Sequence, residues 1–166
     1  ALDTAKLAKN NGLRNIFVTN GYMSDPAVDA MTGLIDAANI DLKSFSEKTY
    51  RSCGGSLLPV LNSIEKMRRK NIWTEITTLV VPGMNDDDAE LREIAAFISS
   101  VSPAIPWHVS RFHPDFKMTG KISTPFETLM MAKQIGEEEG LKYVYLGNVG
   151  PAGTETFCPG CNGSFI

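Results

Sequence analysis

Residues 72–98, IWTEITTLVVPGMNDDDAELREIAAFI, decide the fold. The first ten are the longest strand candidate in the chain, rich in β-branched and aromatic residues and stopped by Pro82-Gly83. Apolar residues fall on both faces of this run, which points to a strand buried between neighbours rather than one at an edge. Asn85 to Asp88 then supply an acidic helix start, and Leu91, Ile94, Ala95 and Ile98 continue one apolar face at helical spacing. A buried strand feeding an amphipathic helix through a short turn is one half of a βαβ unit.

The same alternation extends in both directions. Upstream, residues 2–11 read as a helix with Gly12 as its C-terminal cap. Residues 15–20 (NIFVTN) read as a short strand ended by Gly21, and Ser24-Asp25-Pro26 opens a helix running to about Leu34. Residues 35–43 (IDAANIDLK) are the next strand. Leu57, Val60, Leu61, Ile64 and Met67 lie at helical spacing, with Arg68, Arg69 and Lys70 in the last turn. Downstream come a strand at 106–112, a helix from Thr124-Pro125-Phe126-Glu127 to Glu138, and a last strand at 142–146. The start of that helix combines a capping box with an early proline. Connections are short except near 44–56 and 113–123.

The order α-β-α-β-α-β-α-β-α-β requires parallel strands with helical crossovers, an α/β protein. An open doubly wound sheet and part of a (β/α) barrel both fit. Five strands are fewer than the eight of a closed barrel. The first residue is not Met, and Leu2, Leu7 and Leu13 already sit in patterned sequence, so we read the start as a cut and the fold as an incomplete, TIM-like barrel. Residues 1–150 form the barrel portion and 151–166 a C-terminal tail.

Composition bounds the function. The 166 residues suffice for one domain with a real core, and 43% apolar with 21% charged residues is ordinary for a globular protein. A net charge of −3 offers no basic surface for nucleic acid. No apolar run approaches the roughly 20 residues of a membrane span. Three cysteines make an odd count, unlike a disulfide framework, and with no signal-peptide pattern this favours the cytoplasm.

Polar residues collect at the C-terminal ends of the strands, where parallel α/β proteins place ligands. These ends are Thr19-Asn20-Gly21, Asn39-Ile40-Asp41-Leu42-Lys43 and Ser110-Arg111-Phe112-His113. Strand alternation sends Asn39, Asp41 and Lys43 to one face and Ile40 and Leu42 to the other. The polar trio is either a structural Asp–Lys pair bridged by Asn, or a carboxylate and a lysine that grip a ligand. Thr19 and Asn20 either cap the next helix or contact that ligand. Glu75 and Thr77 share a face in mid-strand, where polar groups need partners. His108, within its strand, reads as structural; His113, just past a strand end, is better placed for a ligand. Cys158-Pro159-Gly160-Cys161 has the spacing of a metal knuckle, half of a zinc site whose other ligands this chain does not supply. Pro82-Gly83-Met84-Asn85-Asp86 alone reads as a turn into a capped helix.

The series VTNGY (18–22), NIDLKSF (39–45), EITTLVVPGMND (75–86), PWHVSRFHPDFKM (106–118) and YLGNV (145–149), with its CPGC ending, resembles the radical S-adenosylmethionine (SAM) enzymes related to pyruvate formate-lyase activating enzymes. Within them it is most similar to the radical SAM member of the AmmeMemoRadiSam system. The resemblance runs over essentially the whole chain. It implies a partial (β/α)6 barrel whose CxxxCxxC loop and glycine-rich GEP motif both precede Ala1. It implies a [4Fe-4S] cluster and SAM as cofactors of the intact protein, with SAM cleaved reductively to a 5′-deoxyadenosyl radical. Thr19, supported by Asn20, would sit near the methionyl end; Asp41 would orient its carboxylate and Lys43 would bond to it. Glu75, Thr77 and Leu79 would line the SAM cleft, and His113 would approach the adenine. Val18 stands where an acidic residue often precedes TNG in the activating enzymes proper, which sets the chain apart from their cation site. Cys53, Cys158 and Cys161 lack cluster-ligand spacing, so the chain by itself is expected to be inactive. The substrate would be an unidentified protein or small molecule, and an exposed barrel edge invites oligomer formation. Two other readings of the residues stand beside this one: a cluster-free (β/α) enzyme built on Asp41 and Lys43, and a non-catalytic, partner-binding barrel fragment.

Overall fold

A computed structural model describes residues 1–150 and 155–164. Of the C-terminal tail, residues 151–154 and 165–166 lie outside the described residues. Five parallel strands, β1 (Ile16–Thr19), β2 (Ala37–Asp41), β3 (Trp73–Val80), β4 (Trp107–Arg111) and β5 (Val144–Gly147), form one sheet in the order β1-β2-β3-β4-β5. A doubly wound sheet would reverse its strand order at a switch point. Here the order is sequential, and right-handed crossovers then place every helix on the same face. This is the arrangement of a partial barrel.

The helices are α1 (Leu2–Asn10), α2 (Asp25–Met31), α3 (Glu47–Ser52), α4 (Leu57–Arg69), α5 (Asp88–Val101) and α6 (Phe126–Glu138). The hydrophobic core is one continuous cluster between these helices and the covered face of the sheet. From β2, β3, β4 and β5 it takes Ala38, Ile40, Ile76, Val80, Trp107, Val109, Val144 and Leu146. Alternation leaves the other face uncovered, and on it Ile16, Val18, Trp73 and Leu79 are 67%, 81%, 51% and 40% exposed. The central strand β3 is therefore half solvated, although both its neighbours are in place.

Two segments expected to be plain connections carry structure. Residues 44–56 contain α3, whose N-cap Ser46 accepts from the Thr49 amide. Residues 113–123 contain a 3-10 turn at Phe116–Met118. Both are too short to show apolar periodicity, so local capping and packing make them. The capping box expected at Thr124 does not form. Its hydroxyl instead accepts from the Phe112 amide (2.9 Å) and donates to the Val80 carbonyl (2.6 Å), joining the ends of β4 and β3. Thr124 is fully buried, and two sheet-end groups would be orphaned without it. Tertiary satisfaction has displaced the local cap. The first residue of α6 is Phe126, and Pro125 takes the N-cap position.

Candidate functional site

Alternation and register bring the polar residues of the open face into rows. Asp41 lies in register with Thr77, Thr77 with His108, and His108 with Tyr145. One step toward the strand starts, Val18, Asn39 and Glu75 are aligned. The Thr77 hydroxyl donates to Asn39 Oδ1 at 2.8 Å. Glu75 Oε2 lies 2.8 Å from His108 Nε2, and Glu75 Oε1 accepts from the Trp73 indole at 3.0 Å. The His108 ring stacks on Tyr145 at 5.4 Å between centroids. Glu75 and Thr77 therefore do sit together on the open side. His108, read from sequence as structural, joins them as a half-exposed partner of Glu75. Alternation with buried Trp107 and Val109 places His108 on the open side, while its partner follows only from the register of β3 on β4.

At the C-terminal end of β2, Lys43 Nζ lies 2.9 Å from Asp41 Oδ2, with both side chains more than a third exposed. An exposed pair of this kind adds little stability. Their carboxylate and ammonium remain open to a ligand. The backbone around them is fixed much more firmly. The Lys43 amide donates to the Tyr50 hydroxyl (3.1 Å), and the Lys43 carbonyl accepts from Asn85 Nδ2 (2.7 Å). Asn85, buried, also donates to the Leu79 carbonyl (2.9 Å) and accepts from the Val81 amide (2.7 Å). The turn at Pro82–Asp86 is thus a clamp on the Lys43 loop, a long-range role that its local sequence does not announce. Burial pushes the Tyr50 hydroxyl up to about 12, keeping it neutral beside Lys43. Ser44 is buried and hydrogen-bonds to Glu90 of α5, which also accepts from the Phe45 amide at 2.9 Å.

Lys43 borders two hollows. One, of about 90 Å³, is lined by Asn20, Tyr22, Tyr50, Cys53 and the Gly54-Gly55 turn. The other, of about 170 Å³ and largely apolar, is lined by Leu79, Val81, Met84, Asn85 and Met118. Asn20 thus meets Lys43 across the first hollow, while its Oδ1 accepts from the Tyr22 amide. Thr19 is in register with buried Ile40, on the covered side of the sheet, and its hydroxyl accepts from the Gly21 amide. His113 is exposed just past β4, and its ring makes no hydrogen bond among the described residues.

Cys53 does not meet the other two thiols. Cys53 borders the Lys43 hollows, whereas Cys158 shares a hollow with Lys142 and Tyr143, which precede β5 at the opposite end of the sheet. Among the described residues no three metal-ligating side chains converge. These cysteines do not fit a [4Fe-4S] cluster, which is held by several thiolates around one centre. Asp41 and Lys43 do fit an amino-acid-like group, offering a cation to its carboxylate and a carboxylate to its ammonium. No helix among the described residues is long and apolar enough to cross a membrane.

A parallel sheet wound in sequence, with its helices on one face, defines a (β/α)-type fold. Residues 1–95 match the Radical SAM superfamily, and the chain belongs to that family. It is 42% identical over 166 residues to an uncharacterised protein of Methanocaldococcus jannaschii, covering 99% of this chain and 49% of that protein. It is 25% identical to the pyruvate formate-lyase 1-activating enzyme of Escherichia coli K12 over 86% of this chain and 64% of the enzyme. The benzylsuccinate synthase activating enzyme of Thauera aromatica matches at 26% identity over 75% of the chain and 42% of the enzyme. The chain thus spans about two fifths to two thirds of the length of these curated relatives. A domain of a pyruvate-formate lyase-activating enzyme from Bacteroides vulgatus shares its fold, with a TM-score of 0.77, 20% identity and 89% of each chain covered. A radical SAM methyltransferase from Sphaerobacter thermophilus superposes with a TM-score of 0.65 over 82% of this chain and 41% of its own.

Proposed function

We propose that this chain is the SAM-facing C-terminal portion of a radical SAM enzyme of the activating-enzyme type, most similar to the radical SAM member of the AmmeMemoRadiSam system. In this reading the chain is N-terminally truncated and the cluster-binding CxxxCxxC lies before Ala1. The carrying observation is the Asp41–Lys43 pair, half exposed on the open face at the end of β2 and anchored through its backbone by Tyr50 and Asn85. When bound, SAM and the cluster supply one-electron chemistry that no side chain provides.

The chain's own residues bind and orient. Lys43 grips the methionyl carboxylate and Asp41 orients the methionyl group, directly or through a cation. Thr19 shapes the turn that carries Asn20, which faces Lys43 across the smaller hollow. Thr77 and Glu75 line the cleft beyond Asp41, and His113 is free to approach the adenine. The apolar hollow beside Leu79 and Met84 excludes water from one flank of the pair. With its thiols divided between opposite ends of the sheet, the chain alone does not assemble the cluster and is inactive. Its substrate is a protein or a small molecule, and its unpaired sheet edge is a route to association.

SAM binding by the complete reading frame that encodes these residues, measured by equilibrium dialysis, tests this reading. Lys43→Ala and Asp41→Ala should each weaken binding by about tenfold to a hundredfold, the loss of one or two charge-assisted hydrogen bonds. Unchanged affinity in both variants would overturn it. A lysine of lowered pKa trapped by a carbonyl reagent would favour the cluster-free enzyme instead.

A further inference from the structure

The motif that this reading leaves unused is Cys158-Pro159-Gly160-Cys161. It lies in a hairpin held by an antiparallel bridge between Phe157 and Ser164. The Cys158 amide donates to the Gly163 carbonyl (2.9 Å), and the Asn162 amide donates to the Cys158 carbonyl (2.8 Å). Asn162 takes a φ of 56°, which closes the turn. Both thiols are free, and Cys161 is exposed.

We propose that Cys158 and Cys161 are two ligands of a tetrahedral thiolate site for a zinc-class divalent ion. The site lies at the N-terminal end of the sheet. Two observations carry this. The two-residue spacing in a hairpin closed by Asn162 lets both sulfurs reach one ion, the usual knuckle of structural zinc sites. Finally, a dithiol built for redox exchange places its nucleophile at a helix start, and here the pair sits in a hairpin.

The surroundings are neutral in balance. The hollow of about 160 Å³ beside Cys158 is lined by Lys133 and Lys142 together with Glu137 and Glu155. His108 and His113 lie on or just past β4, and Cys53 is at the opposite end, beside Lys43. The remaining ligands therefore come from outside this hairpin. The proposal does not depend on the radical SAM reading.

The test uses the reduced, metal-free protein of the complete reading frame that encodes these residues, with and without zinc, followed by thiol alkylation and peptide mass mapping. Zinc should protect Cys158 and Cys161 at least tenfold while Cys53 alkylates at the same rate in both samples. Protection of the remaining thiol of the pair should be lost in both Cys158→Ser and Cys161→Ser, variants whose folding circular dichroism checks. Equal alkylation of all three thiols with and without zinc would overturn the proposal. So would a Cys158–Cys161 disulfide that forms in air and, once reduced, leaves no metal uptake.

Discussion

Gly21, the glycine of the TNG turn, provides the sharpest test of how the site is built. It has a φ of +67°, and a Cβ placed there would lie 2.7 Å from Ile40 Cγ2 and 3.1 Å from Val60 Cγ1. Both neighbours are fully buried, on β2 and α4, so neither has free space to retreat into. Gly21→Ala therefore combines two costs: about 1–2 kcal/mol for a left-handed backbone and about 1–3 kcal/mol for overpacking. The sum is roughly 2–5 kcal/mol. Gly12 serves as an internal standard, with a φ of +75° and nothing within 4 Å of its added Cβ. Gly12→Ala should cost only the backbone share, about 1–2 kcal/mol. Urea unfolding of the two variants followed by circular dichroism gives the comparison, and the excess at Gly21 should be about 1–3 kcal/mol at unchanged m-value. Equal losses at the two sites would refute the claim that the TNG turn is packed against β2 and α4.

Two further predictions concern groups that hold the sheet together. Thr124→Val keeps the shape but leaves the Phe112 amide and the Val80 carbonyl unpaired, so it should cost roughly 1–3 kcal/mol, a Tm loss of about 2–4 °C for each; an unchanged Tm would contradict the bridging role. Asp36 accepts from the Asn15 amide and from Lys9 and Arg14, and these hold its carboxyl well below the usual range. A depressed folded value means that the unfolded chain takes up the proton first, so this stabilisation is present above the ordinary value of 3.8 and is lost as pH falls below it. Asp36→Asn should accordingly show a flatter decline of stability on acidification than the parent; parallel pH profiles would count against it.

The fold was largely legible because strands and helices differ in period. Ile40 and Leu42 against Asp41 and Lys43, and Leu91, Ile94 and Ile98 on α5, are unambiguous in the sequence. Strand order was not, since sequential and doubly wound sheets share the same alternation and differ only in three dimensions. Residues 47–52 were missed because six residues cannot show an apolar stripe. Thr124 misled for the opposite reason: its local motif is complete, but two buried sheet-end groups outbid the helix for its hydroxyl. At the site, the Asp41–Lys43 pair followed from parity alone. The partnership of Glu75 with His108 needed the register of β3 on β4. Asn85 was invisible as a clamp on Lys43 because its partners lie up to 42 residues away.

The proposal that Asp41 and Lys43 hold SAM in a radical SAM enzyme is tested on the complete reading frame, reconstituted anaerobically with iron and sulfide and assayed for dithionite-dependent release of 5′-deoxyadenosine. Product is expected from that protein, at least tenfold less from Lys43→Ala and Asp41→Ala at limiting SAM, and none from the 166-residue chain alone. A protein that takes up no cluster and cleaves no SAM would contradict it, as would full activity in both variants.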